Sequence, residues 1–186
     1  MVSETRRKMV VGAVQLLAER GPQDTSFTQV LERTGAPRGS IYHHFPDGKD
    51  ELIASAIDLA GAYATQLIDR LEGAAAGQIT RHFIGMWRDV LTRSNMHAGC
   101  AVLAVTVATD SADLLAHAAA VFRSWRRRLA QLLQGGGLDV RAADLFAATL
   151  IAAMEGAVVL ARAEQSMEPF ELVAEQLTTQ VDALAA

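Results

Sequence analysis

The amino-acid sequence predicts an all-α protein, on three observations. Apolar residues recur at steps of three and four, as in Val10, Ala13, Val14 and Leu17, the period of a helix with one face in a core. Gly21–Pro22, the PDG at 46–48, the GGG at 135–137 and Pro169 punctuate the chain between such stretches. Only CAVLAVTVATD, residues 100–110, is rich enough in β-branched residues to suit a strand. A lone strand would have nothing to pair with, so this run also reads as helix.

In chain order, residues 4–20 form an amphipathic helix that Gly21 and Pro22 break. Thr25 or Ser26 then caps a short second helix, FTQVLERT. In the following GAP, Gly35 tolerates positive φ and Pro37 suits a first helical position. RGSIYHHF makes about two turns of a third helix, closed by PDG. A long fourth helix runs from Lys49 to about Glu72. Beyond EGAAAG, further helices are expected over about 78–94, 111–134, 139–166 and 168–184.

Two of these helices say more. Residues 145–161 are apolar on every side and rich in Ala and Gly, as expected of a helix packed all round. Thr149 and Glu155 interrupt them, short of a membrane span, so no membrane is expected as a partner. The last helix bears a stripe, Phe170, Val173, Leu177, Val181 and Leu184, that needs a surface to cover it. Pairing of the last two helices across a two-fold axis, with Leu150 and Val159 in the same seam, supplies one. The other way to cover it is for the stripe to close its own subunit's core.

Composition narrows the class. Of 186 residues, 51% are hydrophobic and 20% charged, enough apolar material for a packed core. The single cysteine, Cys100, excludes an intramolecular disulfide and fits a reducing cytoplasm. The N-terminal segment is basic, but its apolar residues are periodic and no small-residue cleavage site follows, so it does not read as a secretory signal. The net charge of −4 argues against nucleic acid until it is counted locally. Residues 1–50 hold seven Lys/Arg against six Asp/Glu, and the remainder ten against fifteen. The sign is that of an N-terminal DNA reader on an acidic body.

TSFTQVLERTGAPRGSIYHHF supplies the parts of a helix-turn-helix: a first helix, a tight turn and a second helix small enough for the major groove. Val30, Leu31, Ala36 and Ile41 point inward and lock the pair. Arg38, Gly39, Ser40, Tyr42, His43 and His44 are left outward. Arg38 can reach guanine O6 and N7 with a bidentate hydrogen bond, and Gly39 lets the backbone approach bases. Tyr42 and His44 suit phosphate oxygens, with Thr28 and Lys49 flanking the groove and His43 touching backbone or base. Arg6, Arg7 and Lys8 stand at the start of the first helix and add positive charge there. On this reading residues 1–50 form the DNA-binding domain and 51–186 a second helical domain.

Gly35, Gly39, Tyr42, His44, Phe45, Lys49 and Leu52, with FTQVLERTG before them, resemble the TetR family of bacterial transcriptional regulators. GAPRGSIYHHFPDGKDEL looks especially like the subgroup typified by the lincomycin-resistance repressor, whose members carry this extra residue before the lysine. The resemblance implies a homodimeric repressor with a palindromic operator, released when a small molecule enters the C-terminal ligand-binding and dimerisation domain. It also implies DNA contact by Thr28, Arg38, Gly39, Tyr42, His43, His44 and Lys49, with no cofactor.

Phe83, Met86, Trp87, Leu103, Phe122, Trp125, Met154 and Val158 are the candidate lining for a small apolar or amphipathic effector, and Glu155 suits its polar end. Helical aromatic and Met residues serve equally well as core, and pairing with Arg88 or Arg162 would also explain Glu155. No nucleophile elbow or phosphate loop points to an enzyme. His97 and Cys100 alone make a weak metal pair, so no metal is expected, and Cys100 suits a small core position better than a redox sensor. RSWRRR at 123–128 reads as a solvated face. A helical dimeric scaffold that binds only protein is the competing reading, and it leaves Arg38, Tyr42 and His44 without a use.

Overall fold

The computed structural model describes residues 3–185, and these are helical throughout their regular structure. Nine helices follow in order among them: α1 (Glu4–Arg20), α2 (Phe27–Thr34), α3 (Ser40–His44), α4 (Lys49–Asp69), α5 (Ala76–Arg93), α6 (Ala101–Ala108), α7 (Ala112–Gly135), α8 (Val140–Glu164) and α9 (Glu168–Leu184). The ambiguous run after Cys100 is helix α6, as the absence of a partner strand requires. Two compact units divide the chain, one ending at Tyr63 and taking in Cys100–Phe122, the other made of Ala64–Gly99 and Arg123–Ala186.

The first unit contains α1, α2, α3, α6 and the N-terminal parts of α4 and α7. Ser3 caps α1 by accepting the Arg6 N–H. Met9, Ala13, Leu16 and Leu17 of α1 are buried, as are Val30, Ile41, Phe45, Leu52, Ile53 and Ile57. α1 is the hub, packing on α2, α3 and α6. At Gly12 the approach of α2 is so close that a Cβ would stand 2.5 Å from Thr34 Cγ2. α2 begins with a reciprocal capping box between Ser26 and Gln29 and ends at Gly35, whose φ of 66° lets its N–H return to the Leu31 carbonyl. Cys100 caps α6, its Sγ accepting the Leu103 N–H.

The second unit is built on α5, α8 and α9, which pack pairwise. Its core includes Ile79, Phe83, Leu129, Leu133, Phe146, Leu150, Met154, Val158, Phe170, Leu177 and Val181. This corrects the expected seam: Leu150, Phe170, Leu177 and Val181 close the chain's own core, with Val173 packed against it. A periodic stripe states that one face is covered and leaves open by what. Here α5 and α8 cover it. Within the single chain α8 is covered on one side only. Leu145, Val159 and Leu160 are exposed on it, as are Leu172 and Leu184 on α9. α8 is long and apolar enough to cross a membrane by length and composition alone, but Phe146, Leu150, Met154 and Val158 on it are packed in the core. Arg88 binds Glu171 in a two-bond fork at 2.7 Å, tying α5 to α9, and this holds the Glu171 carboxyl below its ordinary range.

Candidate DNA-reading surface

α3 has five residues, too few for a helix to persist alone, so its place is set by what surrounds it. Two apolar anchors face inward, Ile41 within the helix and Phe45 immediately after it, both essentially inaccessible. The turn before it is fixed by Ser40, whose N–H and Oγ both donate to the Pro37 carbonyl. Ser40 is thereby half-buried and engaged within the turn.

The outward residues separate into two groups. Arg38, Gly39, Tyr42, His43 and, from α2, Thr28 are exposed. Tyr42 is 68% exposed, and its ring meets Phe27 edge-on at 5.6 Å, which aims the phenol away from the core. His44 and Lys49 are held back instead. His44 is half-buried with Nε2 3.3 Å from Ser3 Oγ, and Lys49 Nζ donates to the Pro22 carbonyl in the α1–α2 loop. Leu31 and Ala36, expected inside, are half-buried, while Val30 is fully covered.

Of the three basic residues opening α1, Arg7 and Lys8 are exposed and Arg6 is not free surface charge. Its guanidinium donates to Glu51, Ser55 and the His44 carbonyl and lies 4.8 Å from the centre of the Phe45 ring. Its polar partners lie 38 to 49 residues further on, so no local sequence pattern announces them. Arg33 is likewise engaged, in a fork with Glu19 that joins α2 to α1.

The expected effector lining is distributed over both units. Phe83, Met154 and Val158 belong to the core of the second unit with Trp87 packed on it, while Trp125 and Glu155 are buried there and Met86 is half-buried. Leu103 and Phe122 are half-buried residues of the first unit. Arg88 is engaged with Glu171, and Arg162 donates to the His97 carbonyl. Among the described residues no three His, Cys, Asp or Glu stand where they would hold a metal ion.

Residues 10–56, which span this surface, match the family described as bacterial regulatory proteins, tetR family, and residues 76–176 match the C-terminal domain of LmrA/YxaF-like transcriptional regulators. The chain belongs to the TetR family. Among similar proteins are the HTH-type transcriptional regulator Rv0196 of Mycobacterium tuberculosis, 37% identical over 92% of this chain and 91% of the relative, and YxaF of Bacillus subtilis, 28% identical over 94% and 93%. The fold is shared with a crystallised TetR regulatory protein of Rhodobacter sphaeroides at a TM-score of 0.84 and 24% identity, covering 95% of this chain and 98% of that one. It is shared also with a TetR regulator of Chloroflexus aurantiacus at 0.78 and 28%, covering 96% and 94%. These relatives are transcriptional regulators rather than enzymes, and TetR-family regulators bind operator DNA and typically dimerise.

Proposed function

We propose that this TetR-family regulator is a ligand-responsive repressor of the bacterial cytoplasm, acting as a homodimer on a palindromic operator. Residues 1–50 read the DNA, and 51–186 pair the subunits and take the effector. The observation that carries the reading is the division of labour in α3: Ile41 and Phe45 hold it, and Arg38, Gly39, Tyr42 and His43 face solvent together. Arg38, at the helix entrance, reads a guanine; Tyr42 and Thr28 contact phosphates and His43 backbone or base. Ser40, His44 and Lys49 complete the footprint from the rim, the latter two once released from Ser3 and Pro22.

Pairing falls to the exposed side of α8 and α9, where Leu145, Val159, Leu160, Leu172 and Leu184 lie bare. It sets two α3 helices about 34–36 Å apart, the spacing of successive major grooves. A small apolar or amphipathic effector that prefers another spacing draws the population off the DNA, with a coupling of about 1–3 kcal/mol. Phe83, Trp87, Trp125, Met154 and Glu155 are the residues of the second unit proposed to meet it.

The test is selection of a duplex from a random pool by the purified protein, followed by titration against salt. Enrichment of a palindrome and a steep fall of log affinity with log salt are expected. Arg38→Ala should lose about 1–3 kcal/mol and relax preference at one base pair per half-site. A pool that yields no enriched sequence would leave the protein-binding scaffold as the better account.

A further inference from the structure

Resting on the reading of α3 as the DNA-reading helix, we infer that Arg6 is a positioning residue that fixes the exit of that helix, and not a phosphate contact. The last carbonyls of any helix lack partners within it, and α3 is short enough that its end is most of its length. Arg6 Nε donates to the His44 carbonyl at 3.4 Å, placing a cation at the negative end of the helix. The same guanidinium donates through Nη2 to Ser55 Oγ at 3.0 Å and Glu51 Oε1 at 3.4 Å. Those two acceptors stand one turn apart on α4. The plane of the fork also sits over Phe45, the second anchor of α3.

Glu51 completes the device. Its other oxygen, Oε2, accepts the Asp47 N–H at 3.2 Å, in the turn between α3 and α4. One Arg–Glu pair thus spans the end of α3, the turn after it and the first two turns of α4. Arg6 and Glu51 each keep only 27% of their side-chain surface. The Arg6 charge is committed within the protein, where it sets the angle at which Arg38, Tyr42 and His43 are offered.

The two roles predict opposite signs. If Arg6 were a phosphate contact, Glu51→Gln would release it and remove a negative charge beside DNA, so binding would tighten. If it positions α3, Glu51→Gln weakens the brace and binding loosens. Arg6→Lys separates them again, because an ammonium serves a phosphate but cannot span a planar fork.

The experiment uses the full chain and the duplex it selects from a random pool, with a scrambled duplex as control and melting curves run in parallel. Arg6→Lys and Glu51→Gln should each weaken the selected duplex about tenfold, in keeping with hydrogen bonds to charged groups, while the scrambled duplex and the salt slope barely change. Amide exchange over residues 40–45 should quicken in both. Should Arg6→Lys fold poorly, Ser55→Ala removes one acceptor with every charge in place and should lower affinity at constant salt slope. Wild-type affinity in Arg6→Lys, tighter binding by Glu51→Gln, or a salt slope reduced by one on loss of Arg6 would each overturn the inference. If the wild-type protein selects no duplex, the reading of α3 fails first and this inference falls with it.

Discussion

Three consecutive glycines, Gly135 to Gly137, close α7, and the structure gives each a different fate on substitution by alanine. A Cβ on Gly136 would stand 2.6 Å from Ala76 N, 2.7 Å from Ala74 O and 3.0 Å from Ala75 C. All three are backbone atoms, which cannot rotate aside. Relief from 2.6 Å to ordinary contact at 3.4 Å moves the segment by about 0.8 Å. The hydrogen bond from Ala76 N–H to the Gly136 carbonyl would be strained with it. Overpacking of this kind costs about 1–3 kcal/mol, and the bond contributes about 1 kcal/mol more. Gly136→Ala should therefore lose about 2–4 kcal/mol, a fall in Tm of roughly 6–12 °C for a chain of this size. Gly137 has open space, but its φ of 113° is closed to alanine, so Gly137→Ala should cost about 1–3 kcal/mol through strain alone. Gly135 has open space and no such φ, and alanine there should be neutral or stabilise by about 0.5 kcal/mol. Thermal and urea melts of the three single variants give the order. A Gly136→Ala protein that melts with the wild type, or below which Gly135→Ala falls, would refute the placement of residues 74–76 against the end of α7.

Further outcomes follow from other contacts. Arg88 depresses the Glu171 carboxyl below its ordinary value of 4.5, so this pair stabilises the fold above that pH and the gain is lost as pH falls through the lower folded value. Glu171→Gln should melt slightly below wild type at pH 7, by under about 1 kcal/mol for so exposed a pair, and the gap should narrow as melts are taken progressively below pH 4.5. Leu177→Ala, in the core, should cost about 2–5 kcal/mol by urea unfolding, whereas Leu172→Glu, at a site 62% exposed, should keep the fold and disperse the proposed dimer in sedimentation. Ser26→Ala removes half of a capping box and should lower stability by about 1 kcal/mol, read by thermal melting.

What the sequence discloses depends on how far apart the deciding residues lie. α1 and α9 fall on the residues their periodicity and flanking breakers mark, and Ser26 caps α2 as its chemistry requires. These are local matters. α3 is shorter than the two turns expected, because the chain is already turning at Arg38 and Gly39 and stops at Phe45. The stripe on α9 was legible as a covered face, but its cover is shared between α8, the helix just before it, and α5, far earlier in the chain, which no local pattern announces. Likewise Arg6 and Lys49 read as surface cations until their partners, Glu51 and the Pro22 carbonyl, are brought to them by the fold. Exposure of Arg38, Tyr42 and His43, by contrast, follows from Ile41 and Phe45 being the only large aliphatic or phenylalanine side chains in that stretch.

The slender hold that α3 has on the protein bears on how such a regulator changes its target. A side chain added at Gly39 would meet nothing within 4 Å, and the backbone there, at φ −72°, admits any residue but glycine's special conformers. Arg38, Tyr42 and His43 owe the interior almost nothing either. Four neighbouring positions are thus open to rewriting at little cost to folding, so, with α3 as the proposed reading helix, a duplicated copy of this gene acquires a new address on the chromosome by changes that leave its remaining architecture intact.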